Sequence, residues 1–560
     1  MFSLTTAVLV CSIRQLVAIE ITTVIDTSTG PVQGEISTSV NSTKFASFKG
    51  IRYAEPPLGY MRFKPPVPIK PWSEVLNATV NGNECPQYNF TSLSIYGSED
   101  CLFLNVYTPV TNLSQTPTNL KSVMVWIYGG SFLSGSSATK FNRPDFLIER
   151  DVVFVSLNYR LGALGFLNLG HRNATGNAAL KDQNLALKWV QINIAKFGGN
   201  PKNVTIFGQS AGSVSVGFHV LSEKSTGLFH GAISMSGTPL VPWGFTKRED
   251  AIQRAETLAR LCGAFPWTKN HYLETLYSAP VSKLVKLAFV INPITPFTPT
   301  LEDPSLTGDP FITECAIKKY QNGNFNKVPQ LLGFEDQETV AVLAGIDEFF
   351  TVVHLTNLVT GPLSLLENQV ESVVGNLLEP LESLVNTAGQ WFQSIKDTTL
   401  EVAVNVTTDI FFKLQIDETQ RLLVDNIGDV PVYYYDNTFD YPRSRHNLGK
   451  QYWIPGAGHG DDIYYIFYVP SAHYNLSLSD PMGLTIYRVS TMWTNFAKYG
   501  SPTPFWIDQY PLNASWPPSG ESGKALEIGN QLKVIPRPID TGTSLLESLL
   551  KPFNYELYDC

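Results

Sequence analysis

Gly208-Gln209-Ser210-Ala211-Gly212 constrains this chain more than any other segment. It is the chain's single match to G-x-S-x-G, a pattern that sets a serine on a tight turn between a strand and a helix. Val204-Thr205-Ile206-Phe207 precedes it, short, apolar and β-branched, and reads as a buried strand. Ser213 to Leu221 follows without a proline and reads as a helix. Glycines flank the serine because a tight turn with close neighbours leaves little room for a Cβ. Five residues alone also fit an ordinary Gly/Ser loop, and the rest of the chain decides between the two.

The 560 residues are enough for a large core. At roughly 150 residues per domain they would make three or four. No Pro/Ser-rich linker, extended charge run or repeat supports that split, so one domain over 19–560 is expected. A net charge of -9 argues against a nucleic-acid partner, which favours a basic patch.

Phe2 to Ile13 is mostly apolar, and Ala18 after Leu16-Val17 offers a cleavage site, so residues 1–18 read as a secretory signal peptide. The fit is imperfect, because no Lys or Arg precedes the apolar run and Arg14 sits late. No later segment reaches the roughly 18 apolar residues of a membrane span. Nine N-x-S/T sequons, at Asn41, Asn77, Asn89, Asn112, Asn173, Asn203, Asn405, Asn475 and Asn513, add to the expectation of a secreted glycoprotein. Of six cysteines, Cys11 would leave with the signal. Cys85 and Cys101 flank a short polar loop and are the best disulfide candidates. Cys262, Cys315 and Cys560 remain, an odd number, so at least one is free or pairs with another chain, which keeps a homodimer open.

A serine hydroxyl is a poor nucleophile unless a base, a group orienting that base and oxyanion donors surround it. Of the histidines His171, His219, His230, His271, His354, His446, His459 and His473, only His459 lies in a Gly-rich loop, Gly456 to Asp462. For the orienting acid, the strand-like Pro329 to Phe334 runs into a loop where Glu335, Asp336 and Glu338 compete. For the donors, the apolar run Val123 to Tyr128 ends in Gly129-Gly130-Ser131, and the amide of Ala211 follows the serine. No metal or cofactor is needed for such chemistry.

Taken together the chain resembles the type-B carboxylesterase/cholinesterase family. Two long signatures carry the likeness: Phe197-Gly198-Gly199-Asn200-Pro201 leading to Gly208–Gly212, and Glu99-Asp100-Cys101-Leu102-Phe103-Leu104-Asn105-Val106-Tyr107-Thr108-Pro109. The likeness runs from about Pro31 to past Leu532. It implies an α/β-hydrolase fold, a central mostly parallel sheet flanked by helices, and ester hydrolysis by Ser210, His459 and Glu338. Gly130, Ser131 and Ala211 would form the oxyanion hole, and Phe132, Trp243 and Phe297 would line the substrate pocket. The resemblance also implies a Cys85–Cys101 disulfide, ion pairs Arg62–Glu99 and Arg160–Asp182, and Ser236 as a buried support of the triad. Helices over Ala341 to Val404 would roof a deep apolar gorge.

Several positions depart from the family pattern. Ser131 stands where the third glycine of the oxyanion run is usual, and Thr339 replaces the glycine that commonly follows the acid. The Cys85–Cys101 loop lacks the tryptophan with which cholinesterases bind choline. Cys262 resembles the first cysteine of a second disulfide, with Cys315 as one candidate partner. Gln209 is commonly Glu in the family, and glutamine there recurs in insect juvenile hormone esterases. Three readings stand: an insect-like carboxylesterase of hydrophobic esters, a narrow juvenile-hormone-type esterase, and a catalytically silent adhesion member of the same fold.

Overall fold

The computed structural model describes residues 20–547, apart from 90–91, 93, 139–141, 293–294, 341–399, 442–454, 473–474, 508–511 and 545–546. The proposed signal, the bulk of the expected roof helices, His354, His446, His473, Cys11 and Cys560 lie outside the described residues.

Eleven strands form the main sheet. In chain order they are β1 (Glu35–Thr38), β2 (Lys44–Arg52), β3 (Phe103–Thr108), β4 (Lys121–Ile127), β5 (Val153–Leu157), β6 (Gly199–Gln209), β7 (Gly231–Met235), β8 (Gln330–Glu335), β9 (Val432–Asn437), β10 (Ala525–Ile528) and β11 (Leu532–Ile535). Across the sheet they run β11-β10-β9-β8-β7-β6-β4-β5-β3-β2-β1. From β5 to β10 neighbours pair in parallel. β1, β2 and β3 join antiparallel at one edge and β11 at the other. This is the α/β-hydrolase arrangement expected from the sequence.

Parallel strands need crossovers that cover both faces, so their residues are buried on both sides. β5 and β7 accordingly read as continuous runs, Val-Phe-Val-Ser-Leu and Gly-Ala-Ile-Ser-Met, with every residue buried. Helix α1 (Ala178–Asn193) is buried over most of its length, and α2 (Ala211–Leu221) at every residue. Helix α3 (Pro481–Tyr499) has clear ends. Asp480 accepts from the amides of Met482 and Gly483, Pro481 opens the helix, and Gly500 ends it in the left-handed region.

The chain order reverses at β4, which lies between β5 on one side and β6 on the other. Open α/β sheets bind ligands at such a switch point, beyond the carboxyl ends of the strands. Here those ends carry Gly129-Gly130 and Ser210. The backbones nearly touch. A Cβ added to Gly212 would lie 2.0 Å from the Ile127 carbonyl oxygen, one on Gly208 2.5 Å from the Gly212 carbonyl carbon, and one on Gly129 2.4 Å from the Gln209 oxygen.

The covalent and ionic ties implied by the resemblance are present. Cys85 and Cys101 form a disulfide, both wholly buried. Arg62 holds Glu99 through Nε and Nη2 at 2.5 and 2.6 Å, and its Nη1 donates to the carbonyls of Leu276, Tyr277 and Ala279. Arg160 holds Asp182 at 2.8 and 2.6 Å. Cys262 is a free, half-buried thiol and Cys315 is disulfide-bonded, so these two are not joined to each other.

Gly212→Ala is expected to lower stability by at least about 2 kcal/mol, because a backbone carbonyl cannot yield as a flexible side chain would. Gly227→Ala, at a positive φ with open space around it, should cost roughly 1 kcal/mol. Thermal melting of both variants beside the parent checks this; equal shifts would refute the crowding argument.

Candidate active site

Ser210 follows the last residue of β6 and precedes the first residue of α2, with φ 59° and ψ -127°. A non-glycine residue in such a region costs about 1–3 kcal/mol and persists only where its surroundings over-determine it. They do here: the Ser210 amide donates to the Met235 carbonyl at 2.9 Å, and the Ser210 carbonyl accepts from Val214 at 3.0 Å. β7 and the first turn of α2 therefore grip the turn from both sides.

Glu338 lies three residues past the end of β8 and is wholly buried. Its Oε1 accepts from the Glu335 amide at 3.0 Å, and its Oε2 lies 2.6 Å from His459 Nδ1. The two loops are laced by backbone as well. The amides of Gln337 and His459 donate to the carbonyls of Ala457 and Glu338 at 3.0 and 3.2 Å. The three competing acids separate cleanly: Glu338 meets the imidazole, Asp336 accepts from the Ala457 amide at 2.7 Å, and Glu335 turns inward to Asn437.

A carboxylate on Nδ1 requires a proton there, which leaves Nε2 of a neutral His459 as an acceptor. That nitrogen faces the Gln209 amide nitrogen at 3.2 Å. The Ser210 hydroxyl makes no hydrogen bond among the described residues. Serine–histidine bonds are often open in unliganded enzymes and tighten with substrate.

Gly130 has φ 114° and Ser131 φ 56°, so the serine does adopt the left-handed conformation that strains a Cβ. Among the described residues the amides of Gly130, Ser131 and Ala211 donate to no acceptor. The three lie where β4 and β6 end side by side. Phe132 is wholly buried with φ 59° and packs edge-on against Phe166 at 4.9 Å. Phe297 is also buried. Trp243 is half-buried; its indole donates to the Phe411 carbonyl at 3.0 Å, and its ring lies 5.5 Å from Phe412. Ser236 is buried with φ 56°, and its hydroxyl has no partner among the described residues.

Two contacts were not anticipated. Phe412 packs on the His459 ring at 5.1 Å from within a short π-helical turn, Asp409–Lys413. No periodicity links it to a histidine 47 residues on. Thr339 ties the acid loop to the helix Leu400–Thr408, with its hydroxyl 2.5 Å from that of Thr407. The hydroxyl at a place where glycine is common was the available signal.

The Carboxylesterase family model matches residues 21–543. The chain belongs to the carboxylesterase family. It is a carboxylic ester hydrolase. It is 34% identical to the juvenile hormone esterase of Tribolium castaneum over 503 residues, covering 85% of this chain and 84% of that one. It is 34% identical to venom carboxylesterase-6 of Apis mellifera over 514 residues, covering 88% and 87%. The crystal structure of the Manduca sexta juvenile hormone esterase with OTFP covalently attached aligns with a TM-score of 0.79 and 26% identity, over 96% of this chain and all of that one.

Among the other described histidines, His219 is wholly buried. Its Nδ1 lies 2.8 Å from Ser225 Oγ and its Nε2 3.0 Å from Gln183 Oε1. Burial pushes its pKa down from 6.5 to about 3. The folded state thus binds fewer protons than the unfolded chain between those values. Its contribution is fully present above the unfolded pKa and is lost as pH falls. From neutral pH to about pH 5 this one residue should remove about 2 kcal/mol of stability. Denaturant unfolding of the parent and of His219→Gln across that range checks it; parallel slopes would sink the assignment.

Proposed function

We propose that this protein is a secreted serine carboxylesterase acting on hydrophobic esters through an acyl-enzyme, with Ser210, His459 and Glu338 as its triad. The observation that carries the reading is the 2.6 Å contact between buried Glu338 and His459 Nδ1, beside a serine on a strained strand-to-helix turn. Ser210 attacks the ester carbonyl while His459 Nε2 takes its proton, the Gln209 amide having given up that nitrogen. Glu338 fixes the tautomer and stabilises the imidazolium. The amides of Gly130, Ser131 and Ala211 bind the oxyanion, which needs no rearrangement because they are already free. The alcohol leaves with the proton, and water activated by His459 releases the acid. Phe132, Trp243 and Phe297, with Phe412, provide the apolar surround.

Secretion is supported by the apolar start of the sequence, the buried Cys85–Cys101 disulfide and the exposure of six sequon asparagines: Asn41, Asn77, Asn112, Asn405, Asn475 and Asn513. Among the described residues no helix is long and apolar enough to cross a membrane. Asn203 is half-buried and donates to Ser122 at 2.8 Å, so a glycan there would break a contact. Peptide mapping after enzymatic deglycosylation should find modification at the exposed six and an unmodified Asn203; the reverse pattern would count against the model of secretion.

A second reading has one observation in its favour. Gln209 stands where the family commonly has Glu, and two of the relatives above are juvenile hormone esterases. Turnover of juvenile hormone compared with that of naphthyl esters decides between a narrow hormone esterase and a general one.

An organophosphate should label Ser210 and abolish turnover of a naphthyl ester. Ser210→Ala should lose labelling, and Glu338→Gln should lower kcat by about 1,000- to 10,000-fold. Full activity in Ser210→Ala would overturn the proposal.

A further inference from the structure

Behind the site, two buried acids meet with no base between them. Glu335 is the last residue of β8, three before Glu338, and Asp462 lies three after His459. Glu335 is wholly buried and Asp462 nearly so. Glu335 Oε2 accepts from Asn437, and Asp462 Oδ2 accepts from the Tyr435 hydroxyl at 3.3 Å. The remaining oxygens, Glu335 Oε1 and Asp462 Oδ1, have no donor among the described residues. Yet the two carboxyl groups are held by Tyr435 and Asn437, two residues apart on β9, and each acts on the other's protonation. Two acceptors face one another here, and only a proton between them removes the repulsion.

We propose that Glu335 and Asp462 share one proton as a buried positioning pair, holding the Glu338 loop against the His459 loop, and that loss of this proton at alkaline pH parts the loops and lowers kcat. The pair touches no substrate; it acts through the triad, and the inference rests on the function proposed above.

The surroundings favour retention of the proton. Burial is the largest influence on both groups and raises both pKa values. The negative charge of Glu338 and of Asp461 raises them further, while hydrogen bonding from Glu335 and then the charge of His459 act the other way on Asp462, which leaves the proton on Glu335. From β9 the pair meets Tyr435 and Asn437, and from the helix Ile463–Ile466 it meets Tyr465. Asp436 on the same strand interacts with Lys413 and Asp336 instead. A carboxyl whose folded pKa lies above its unfolded value stabilises the fold at acid pH, and that stabilisation is lost as pH rises through the folded value.

An amide in place of either acid donates a hydrogen bond that it cannot lose by titration. The test is kcat and KM for 1-naphthyl acetate from neutral to alkaline pH in the parent, Glu335→Gln and Asp462→Asn, each normalised to sites labelled by an organophosphate. The parent should lose kcat on the alkaline side with KM changing less than about twofold. In both variants the ratio of kcat at about pH 9.5 to kcat at neutral pH should exceed the parent's by at least about fivefold. An unchanged alkaline limb in both variants overturns the pair. The infrared difference spectrum of the parent between the same pH values must show a protonated carboxyl disappearing, and its absence overturns the pair even if neither variant folds. Failure of the parent to label at Ser210 would instead refute the nucleophile assignment.

Discussion

The close approach of β4, β6 and the start of α2 governs the rest of the site. Three backbone segments meet where no Cβ fits at Gly129, Gly208 or Gly212. That contact sets the Ser210 side chain at the rim of the sheet and leaves the amides of Gly130, Ser131 and Ala211 without an acceptor among the described residues. Donors held this way cost no reorganisation when charge develops on an oxygen. Strain accumulates nearby: Ser131, Phe132, Ser210 and Ser236 all have φ between 56° and 59°. Each costs on the order of 1–3 kcal/mol, which only a rigid frame can sustain. The frame is the parallel sheet with its buried helices, tightened by the Arg160–Asp182 pair and the Cys85–Cys101 disulfide.

Much of this was legible because the family pattern resides in local backbone demands. Glycines at 208 and 212, the apolar run Val204 to Phe207 and the acidic segment around Asp100 each encode geometry that other residues would break. Which carboxyl meets His459 was not legible from composition, since Glu335, Asp336 and Glu338 share one loop. Register alone separates them: the loop leaves β8 so that Glu338 reaches His459, Asp336 caps a backbone amide and Glu335 points into the core. Phe412 and Thr407 were illegible for a different reason. Their contacts with His459 and Thr339 join segments far apart in the chain, and no spacing rule connects such pairs.

Two loops, one after β8 and one before the helix Ile463–Ile466, carry Glu338 and His459. Loops of this kind are ordinarily the least ordered part of a fold. Here backbone bonds of Gln337, Ala457 and His459 and the side-chain bond of Asp336 bind them into one unit, while Asp461 accepts from the Gly458 amide within its own loop. Precision at the imidazole thus comes from many modest bonds in a partly buried setting, where each is stronger than in open water.

Gln209 places the electrostatic work on one side of the imidazole. A carboxylate at this position would attract an imidazolium through Nε2, while Glu338 attracts it through Nδ1. The amide carries no charge, and its N–H faces Nε2 only while that nitrogen is bare. Once Nε2 is protonated in the proposed mechanism, two donors oppose each other and the amide turns away. Among the described residues only Gln209 lies against that nitrogen, so in this mechanism the best acceptor for its proton is the departing alkoxide. In the proposed mechanism a neutral residue beside Ser210 therefore weakens stabilisation of the imidazolium but favours its discharge onto the leaving group.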